Sequence, residues 1–218
     1  MELVLIRHGD MQGDAHRHYE PPVSGCLSDL GVRQAKALGA ALEGENFTAI
    51  YSSPLGRAVE TAHAIADPRQ LPIRIAPWLI EWRPATVTRG CDDANYENML
   101  AASAQLRPEL SWATEAGEST FEMGQRIVPG FLGMLREHGA HAGHGGYLLD
   151  DPKDEQRIVL VAHGGSLGFL AAFILGLPMR PYAPINFSQT GVAVFQFIKR
   201  VDVWYPSLSI SPLYPALK

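Results

Sequence analysis

The chain has 218 residues and a mass of 23.8 kDa, the length of one domain or of one domain carrying a large insertion. Its 46% hydrophobic content, with 18 basic and 23 acidic residues spread along it, excludes a disordered, collagen-like or low-complexity protein. The formal net charge of −5 comes without a basic stripe and so excludes a nucleic-acid duplex as the expected partner, whereas an anionic small molecule needs only local positive charge.

Residues 3–6 form a short, continuous apolar run, the pattern of a strand buried on both faces. Residues 10–25 are polar and contain Pro21 and Pro22, which predicts a long loop. Ser28 is the expected N-cap of a helix that ends near residues 42–44. A second strand covers 49–51. Ser53 and Pro54 open the next helix, Ser53 at the cap and Pro54 in the first turn, where its missing N–H costs nothing. A third strand covers 73–76. The stretch 84–117 has no clear strand and carries one expected helix near 95–106; loops this long in a compact domain are usually lids or binding loops.

Ser119 and Glu122 have capping-box spacing, and the helix they start meets Pro129–Gly130, where a kink or break is expected. The tract HGAHAGHGG (138–146) reads as an exposed, solvated loop rather than a metal site, since His138, His141 and His144 lack the fixed ligand geometry of structural zinc. A strand at 158–161 is followed by Gly164–Gly165, which open an apolar helix running to Gly176. Residues 192–197 form the last predicted strand. Alternation of strand and helix indicates an α/β protein with a mainly parallel sheet, and 1–218 reads as a single domain with an insertion at 84–117.

Two cysteines, Cys26 and Cys91, make neither a disulfide framework nor a CxxC pair. Residues 1–10 lack the basic segment and long apolar stretch of an export signal. The apolar stretch 167–177 is shorter than the roughly 20 residues of a membrane helix. The expectation is a cytoplasmic protein without a membrane partner. The oligomeric state is left open, a homodimer included.

Arg7–His8–Gly9, Ser52–Ser53 with Arg57 one turn later, Glu81, and His163–Gly164–Gly165 each follow a predicted strand. In parallel α/β sheets ligands bind beyond the carboxyl ends of the strands, so parallel strands would gather all of these groups on one rim. Two arginines bind phosphate oxygens through charge-assisted, bidentate hydrogen bonds, and a helix N-terminus after Gly164 adds backbone donors. A neutral imidazole is a competent nucleophile towards phosphorus, and nearby guanidinium charge keeps it neutral. The second histidine can donate to the transferring phosphoryl oxygens. Glu81 can protonate the leaving oxygen and then activate water. With the positive charge supplied by arginine, neither a metal nor another cofactor is called for.

These residues lie in LIRHGD (5–10), LSDLGVRQAKALG (27–39), IYSSPLGRAVETAHAIA (50–66), LIEW (79–82), GES (117–119) and VLVAHGGSLGFL (159–170). In order and spacing the set resembles the histidine phosphatase superfamily, also called phosphoglycerate mutase-like, over most of the chain. The resemblance implies a three-layer fold, a mainly parallel sheet between helices, with 84–117 as a lid-like insertion over the substrate. It implies His8 as the transiently phosphorylated nucleophile, Glu81 as general acid/base, and Arg7, Arg57, His163 and the Gly164 backbone as the phosphate pocket.

Asp14 stands where many relatives have Asn, and Gly168 where many carry a basic residue. LIEW lacks the usual Gly-x-Trp-Glu continuation, which leaves Glu115 and Asp92 as alternatives to Glu81. The leading expectation is a metal-independent phosphomonoester phosphatase acting on a phosphorylated small molecule. A phosphoglycerate mutase-type phosphotransferase ranks second, because residues 83–117 hold only Arg83, Arg89 and Arg107 to retain a second phosphate. A non-catalytic phospho-ligand binding protein ranks third. Ser166 and Ser119 lack a nucleophile-elbow context and read as capping or packing residues.

Overall fold

The computed structural model describes residues 1–12, 27–83, 98, 118–151, 155–177 and 185–210. Asp14, His16, His18, both cysteines, Asp92, Glu115 and nearly all of 84–117 lie outside them. Eight strands form one sheet: β1 (Glu2–Arg7), β2 (Ala49–Ser52), β3 (Ile73–Ile75), β4 (Ala140–Gly143), β5 (Gly146–Leu149), β6 (Arg157–Ala162), β7 (Val192–Arg200) and β8 (Val203–Ile210), in the order β3-β2-β6-β1-β7-β8-β5-β4. Strands β3, β2, β6 and β1 run parallel, and each pairing beyond β1 is antiparallel. Among the described residues four α-helices flank the sheet: α1 (Asp29–Ala41), α2 (Gly56–Ala66), α3 (Thr120–Glu137) and α4 (Gly164–Ile174).

The continuous apolar strand sequences serve two cores at once. Alternate side chains point to opposite faces, so Val4 and Ile6 of β1 join Val159 and Val161 of β6 against Leu38 of α1 and Ala62 and Ile65 of α2. Leu3 and Leu5 join Ile158 and Leu160 against Ile127 and Phe131 of α3 and Leu167 and Leu170 of α4. The result is the three-layer α/β arrangement. Helix α4 (GGSLGFLAAFI) has no charged residue and is buried nearly all round, as expected of a helix without a solvent face.

Capping follows the sequence at two of three helices. The Ser28 hydroxyl accepts from Gly31 N–H, and Ser119 and Glu122 form a reciprocal capping box. Helix α2 is the exception: it starts at Gly56 with Leu55 at the cap, which frees Ser53 for another role. Helix α3 also runs unbroken through Pro129. An interior proline costs about 3 kcal/mol, but Met123, Ile127, Phe131, Met134 and Leu135 are all buried on this helix, at roughly 1.5–3 kcal/mol each, and burial wins.

The 138–146 tract is a hairpin, not a solvated loop. β4 and β5 pair from Ala140–Leu149 to Gly143–Gly146, around a two-residue turn in which His144 and Gly145 have φ of 53° and 76°. Positive φ at both central residues suits the twist of an antiparallel pair. Its histidines serve locally: His138 bonds Tyr51 and Gln156, and His141 pairs with Asp150. Among the described residues no group of three or more His, Cys, Asp or Glu could hold a metal ion, and no helix is long and apolar enough to cross a membrane.

One backbone contact sets where β1 delivers its last residues. A Cβ on Gly31 would lie 1.9 Å from the Asp10 carbonyl oxygen, and a Cβ on Gly9 would lie 2.8 Å from the Gly31 carbonyl oxygen. Both positions therefore need glycine for close approach. Replacing an unconstrained helical glycine with alanine stabilises by up to about 1 kcal/mol. Gly31→Ala should instead destabilise the protein by about 1–3 kcal/mol through overpacking, seen as a lower urea midpoint. An unchanged or raised midpoint would contradict the contact.

Candidate active site

The parallel half of the sheet brings the predicted groups to one rim. His8 N–H donates to the Ala162 carbonyl at 2.9 Å, and Ser53 N–H donates to Val161 at 2.9 Å. The ladder thus continues one residue past each strand and places His8, Ser53 and His163 side by side. The rings of His8 and His163 have centroids 5.0 Å apart at an interplanar angle of 60°.

His8 is 4% exposed. Its Nδ1 lies 2.6 Å from the Gly9 carbonyl oxygen, which can only accept, so Nδ1 carries the proton and donates. Arg57 Nε–H donates to His8 Nε2 at 3.1 Å, so Nε2 presents a lone pair. Burial first, then the Arg57 and Arg7 charges, push the pKa of His8 down to about 3 against the opposing Gly9 hydrogen bond. The imidazole is neutral, with a defined tautomer and its basic nitrogen facing Arg57.

Arg57 lies in the first turn of α2 and is itself buried. The Thr61 hydroxyl donates to the Arg57 carbonyl at 2.8 Å and accepts from Gly9 N–H at 3.1 Å. One side chain thereby ties the base of Arg57 to the turn after His8. Arg7 Nη1–H donates to the Phe187 carbonyl at 2.8 Å, and its Nε is buried without a hydrogen-bond partner among the described residues. Two guanidiniums therefore flank one neutral imidazole, an arrangement that favours an anion.

His163 is fully buried at the cap of α4. Burial first, and then the surrounding His8 and arginines, hold its pKa well below the usual histidine value. Its Nε2 lies 2.7 Å from Ser53 Oγ, and the same oxygen accepts from Leu55 N–H at 3.4 Å. With its acceptor side in use, Ser53 can give its proton to His163 Nε2. The Nδ1–H of His163, buried without a partner among the described residues, is then a donor. With Ser53 donating to Nε2, the two histidines offer opposite faces: a lone pair on His8 and a proton on His163.

Gly164 opens α4 within van der Waals distance of the Arg7 guanidinium: a Cβ there would sit 3.5 Å from Arg7 Cζ. The positive end of an apolar helix is thus directed at the same place as the two arginines. Glu81 lies on the other side of this helix end. Its Oε1 accepts from Ser166 N–H at 2.9 Å and Trp82 N–H at 2.8 Å, and its Oε2 from Gly165 N–H at 3.1 Å. Three amide donors fix the carboxylate at the rim. A Cβ on Gly165 would lie 2.6 Å from Glu81 Oε1, so the double glycine lets backbone and carboxylate meet. Gly168 is buried within α4.

All six predicted residues, Arg7, His8, Arg57, Glu81, His163 and Gly164, thus lie at the carboxyl ends of the parallel strands or in the loops and first helical turns that follow. Asp92 and Glu115, the alternatives to Glu81, fall outside the described residues. Ser53 was expected at a helix cap beside the rim and Thr61 was not singled out; both sit in the 50–66 motif, and their polarity at buried positions is the signal. Glu118 and Arg126 were not anticipated. Glu118 pairs with Arg126 at 2.6 Å, and the pair joins the two ends of the 84–117 segment, where Glu118 N–H donates to the Arg83 carbonyl at 2.8 Å. Glu118 was visible only as the middle of GES.

The sequence profile of the histidine phosphatase superfamily (branch 1) matches residues 3–203. The chain is 30% identical over 184 residues to a glucosyl-3-phosphoglycerate phosphatase of Mycolicibacterium vanbaalenii, covering 81% of this chain and 75% of the relative. It is 28% identical over 183 residues to a probable phosphoglycerate mutase of Yersinia pestis, covering 82% and 76%. Among solved structures, the α-ribazole phosphatase of Shigella flexneri superimposes with a TM-score of 0.74 at 25% identity, over 97% of this chain and 96% of that one. A mycobacterial glucosyl-3-phosphoglycerate phosphatase bound to inorganic phosphate gives 0.73 at 26% identity, over 98% and 99%. With these matches on top of the assembled rim, the chain belongs to the histidine phosphatase superfamily, branch 1.

Proposed function

We propose that the protein is a phosphomonoester phosphatase that works through a phosphohistidine on His8 and uses arginine and helix-end charge in place of a metal ion. The observation that carries this reading is the state of His8: a buried, neutral ring with Nδ1 committed to a backbone carbonyl and Nε2 facing Arg57.

The phosphoryl group of a substrate enters where Arg7, Arg57 and the amide end of α4 converge. Arg57 turns its donor from His8 Nε2 to a phosphoryl oxygen, and the freed lone pair attacks phosphorus in line with the leaving oxygen. Negative charge on the three equatorial oxygens is met by both guanidiniums, by His163 Nδ1–H and by the Gly164 amide. The N–P bond forms as the P–O bond breaks, and Glu81 gives a proton to the departing alkoxide or phenoxide. The same carboxylate, now ionised, takes a proton from the water that attacks phosphohistidine, releasing phosphate and restoring His8.

The substrate class is a phosphorylated small molecule, in keeping with the glucosyl-3-phosphoglycerate and α-ribazole phosphatases it is similar to. Mutase-type transfer is the second reading, supported by the relative named as a probable phosphoglycerate mutase. A non-catalytic role has less support, because a binding protein has no need of a nucleophile held in one tautomer.

The direct test is hydrolysis of p-nitrophenyl phosphate with EDTA present. Wild type should retain its activity, and His8→Ala should lose at least about 10³-fold in kcat; comparable turnover in the variant, or loss of wild-type activity to EDTA, would contradict the reading. Addition of 3-phosphoglycerate with a bisphosphoglycerate primer tests mutase activity in parallel.

The neutral ring also predicts a pH dependence of stability. Unfolded histidine takes up a proton near pH 6.5, whereas folded His8 does so only near 3. The unfolded state therefore binds more protons in that window, and the stability present above pH 6.5 is lost as pH falls towards 3. His163 contributes in the same direction. His8→Asn should lose stability less steeply than wild type between pH 7 and 5 in urea unfolding; identical slopes would show that His8 is not held neutral.

A further inference from the structure

We propose that Arg126, clamped by Glu118, is the positioning residue of the acid/base carboxylate; this rests on the reading of Glu81 as general acid/base. Arg126 projects from α3 and its side chain is 15% exposed, while that of Glu118 is 7% exposed. A guanidinium has five N–H donors, and here each has an acceptor. Nη1 donates to the carbonyls of Trp78 at 2.9 Å and Ile80 at 2.8 Å. Nη2 donates to the Glu81 carbonyl at 3.2 Å and to Glu118 Oε2 at 2.8 Å. Nε donates to Glu118 Oε1 at 2.6 Å.

Three of these bonds fall on the turn that carries the carboxylate. Residues 78–81 leave a single turn of 3-10 helix at Pro77–Leu79 and have no sheet ladder. Their carbonyls take from Arg126 what regular secondary structure would otherwise supply. The other two bonds fork onto Glu118, whose Oε2 also accepts from Arg83 N–H at 3.3 Å and whose backbone carbonyl accepts from Trp82 Nε1 at 2.6 Å. One guanidinium therefore holds the Glu81 backbone from below while Gly165 and Ser166 hold its carboxylate from the side. Arg126 makes no hydrogen bond to Arg7, His8, Arg57 or His163, so its support reaches Glu81 and not the side chains proposed to capture phosphate.

This separation can be read kinetically. A p-nitrophenolate leaves without a proton, whereas an unsubstituted phenolate needs one. The value of kcat/KM reports transfer to His8 and not the later hydrolysis. Arg126→Lys keeps the positive charge that Arg126 exerts on His163 but cannot span five acceptors. It should lower kcat/KM for phenyl phosphate by at least about tenfold and that for p-nitrophenyl phosphate by less than about threefold. Inhibition by inorganic phosphate should stay within about twofold of wild type. Glu118→Gln should show the same pattern and decides the question if Arg126→Lys does not fold.

Glu81→Gln in the same assays marks the signature of the acid itself. If it shows the leaving-group selectivity and neither Arg126→Lys nor Glu118→Gln does, losing activity equally on both esters or on neither, the positioning role is overturned and the acid reading stands. If Glu81→Gln shows no selectivity, the acid reading fails and the positioning role falls with it. Selective loss in all three establishes both.

Discussion

The site turns on a buried imidazole held between a carbonyl and a guanidinium. The Gly9 carbonyl can only accept and the Arg57 Nε–H can only donate, so the ring of His8 has one tautomer compatible with both. Burial and cationic neighbours act in the same direction and keep that ring unprotonated. A histidine exposed to water would share its proton between two nitrogens and be partly protonated near neutrality. Here the fold chooses which nitrogen keeps its lone pair, and in the proposed reaction the charge that would receive the phosphoryl group is the same charge that keeps that nitrogen unprotonated.

The rest of the architecture supplies what this arrangement needs. Four adjacent parallel strands end at one level and set His8, Ser53 and His163 side by side. Contact between Gly9 and Gly31 brings the turn after His8 onto the start of α1, and Thr61 links it to the base of Arg57. Helix α4, apolar all round, points its amide end at Arg7 and receives Glu81 on the far side. Every one of these supports is a backbone contact or a hydrogen bond with a defined donor.

The parallel half of the fold was legible because its strands are uninterrupted apolar runs and each is followed at once by a chemically distinctive residue. The antiparallel half was less so. β4 (AHAG) and β5 (GYLL) are short and glycine-rich, and their pairing shows only in the two positive φ values at His144 and Gly145. β8 carries Pro206 opposite Phe197, an interruption that hides its strand character. Pro129 pointed to a break that buried contacts along α3 override. At the site, the residues that converge on the rim could be named from type and spacing. The residues that orient them could not: Ser53 reads as a helix cap, and nothing singles out Arg126, because a partner 8 residues away and three carbonyls some 45 residues away in sequence leave no local pattern.

The most direct measurement is to quench the enzyme in alkali during turnover of a phosphate ester and map the phosphate on its peptides by mass spectrometry. The account predicts phosphate on His8, stable to alkali and labile to acid, and more of it in Glu81→Gln, where water is no longer activated. Phosphate on a serine, or turnover with no phosphorylated His8 in either protein, would contradict it.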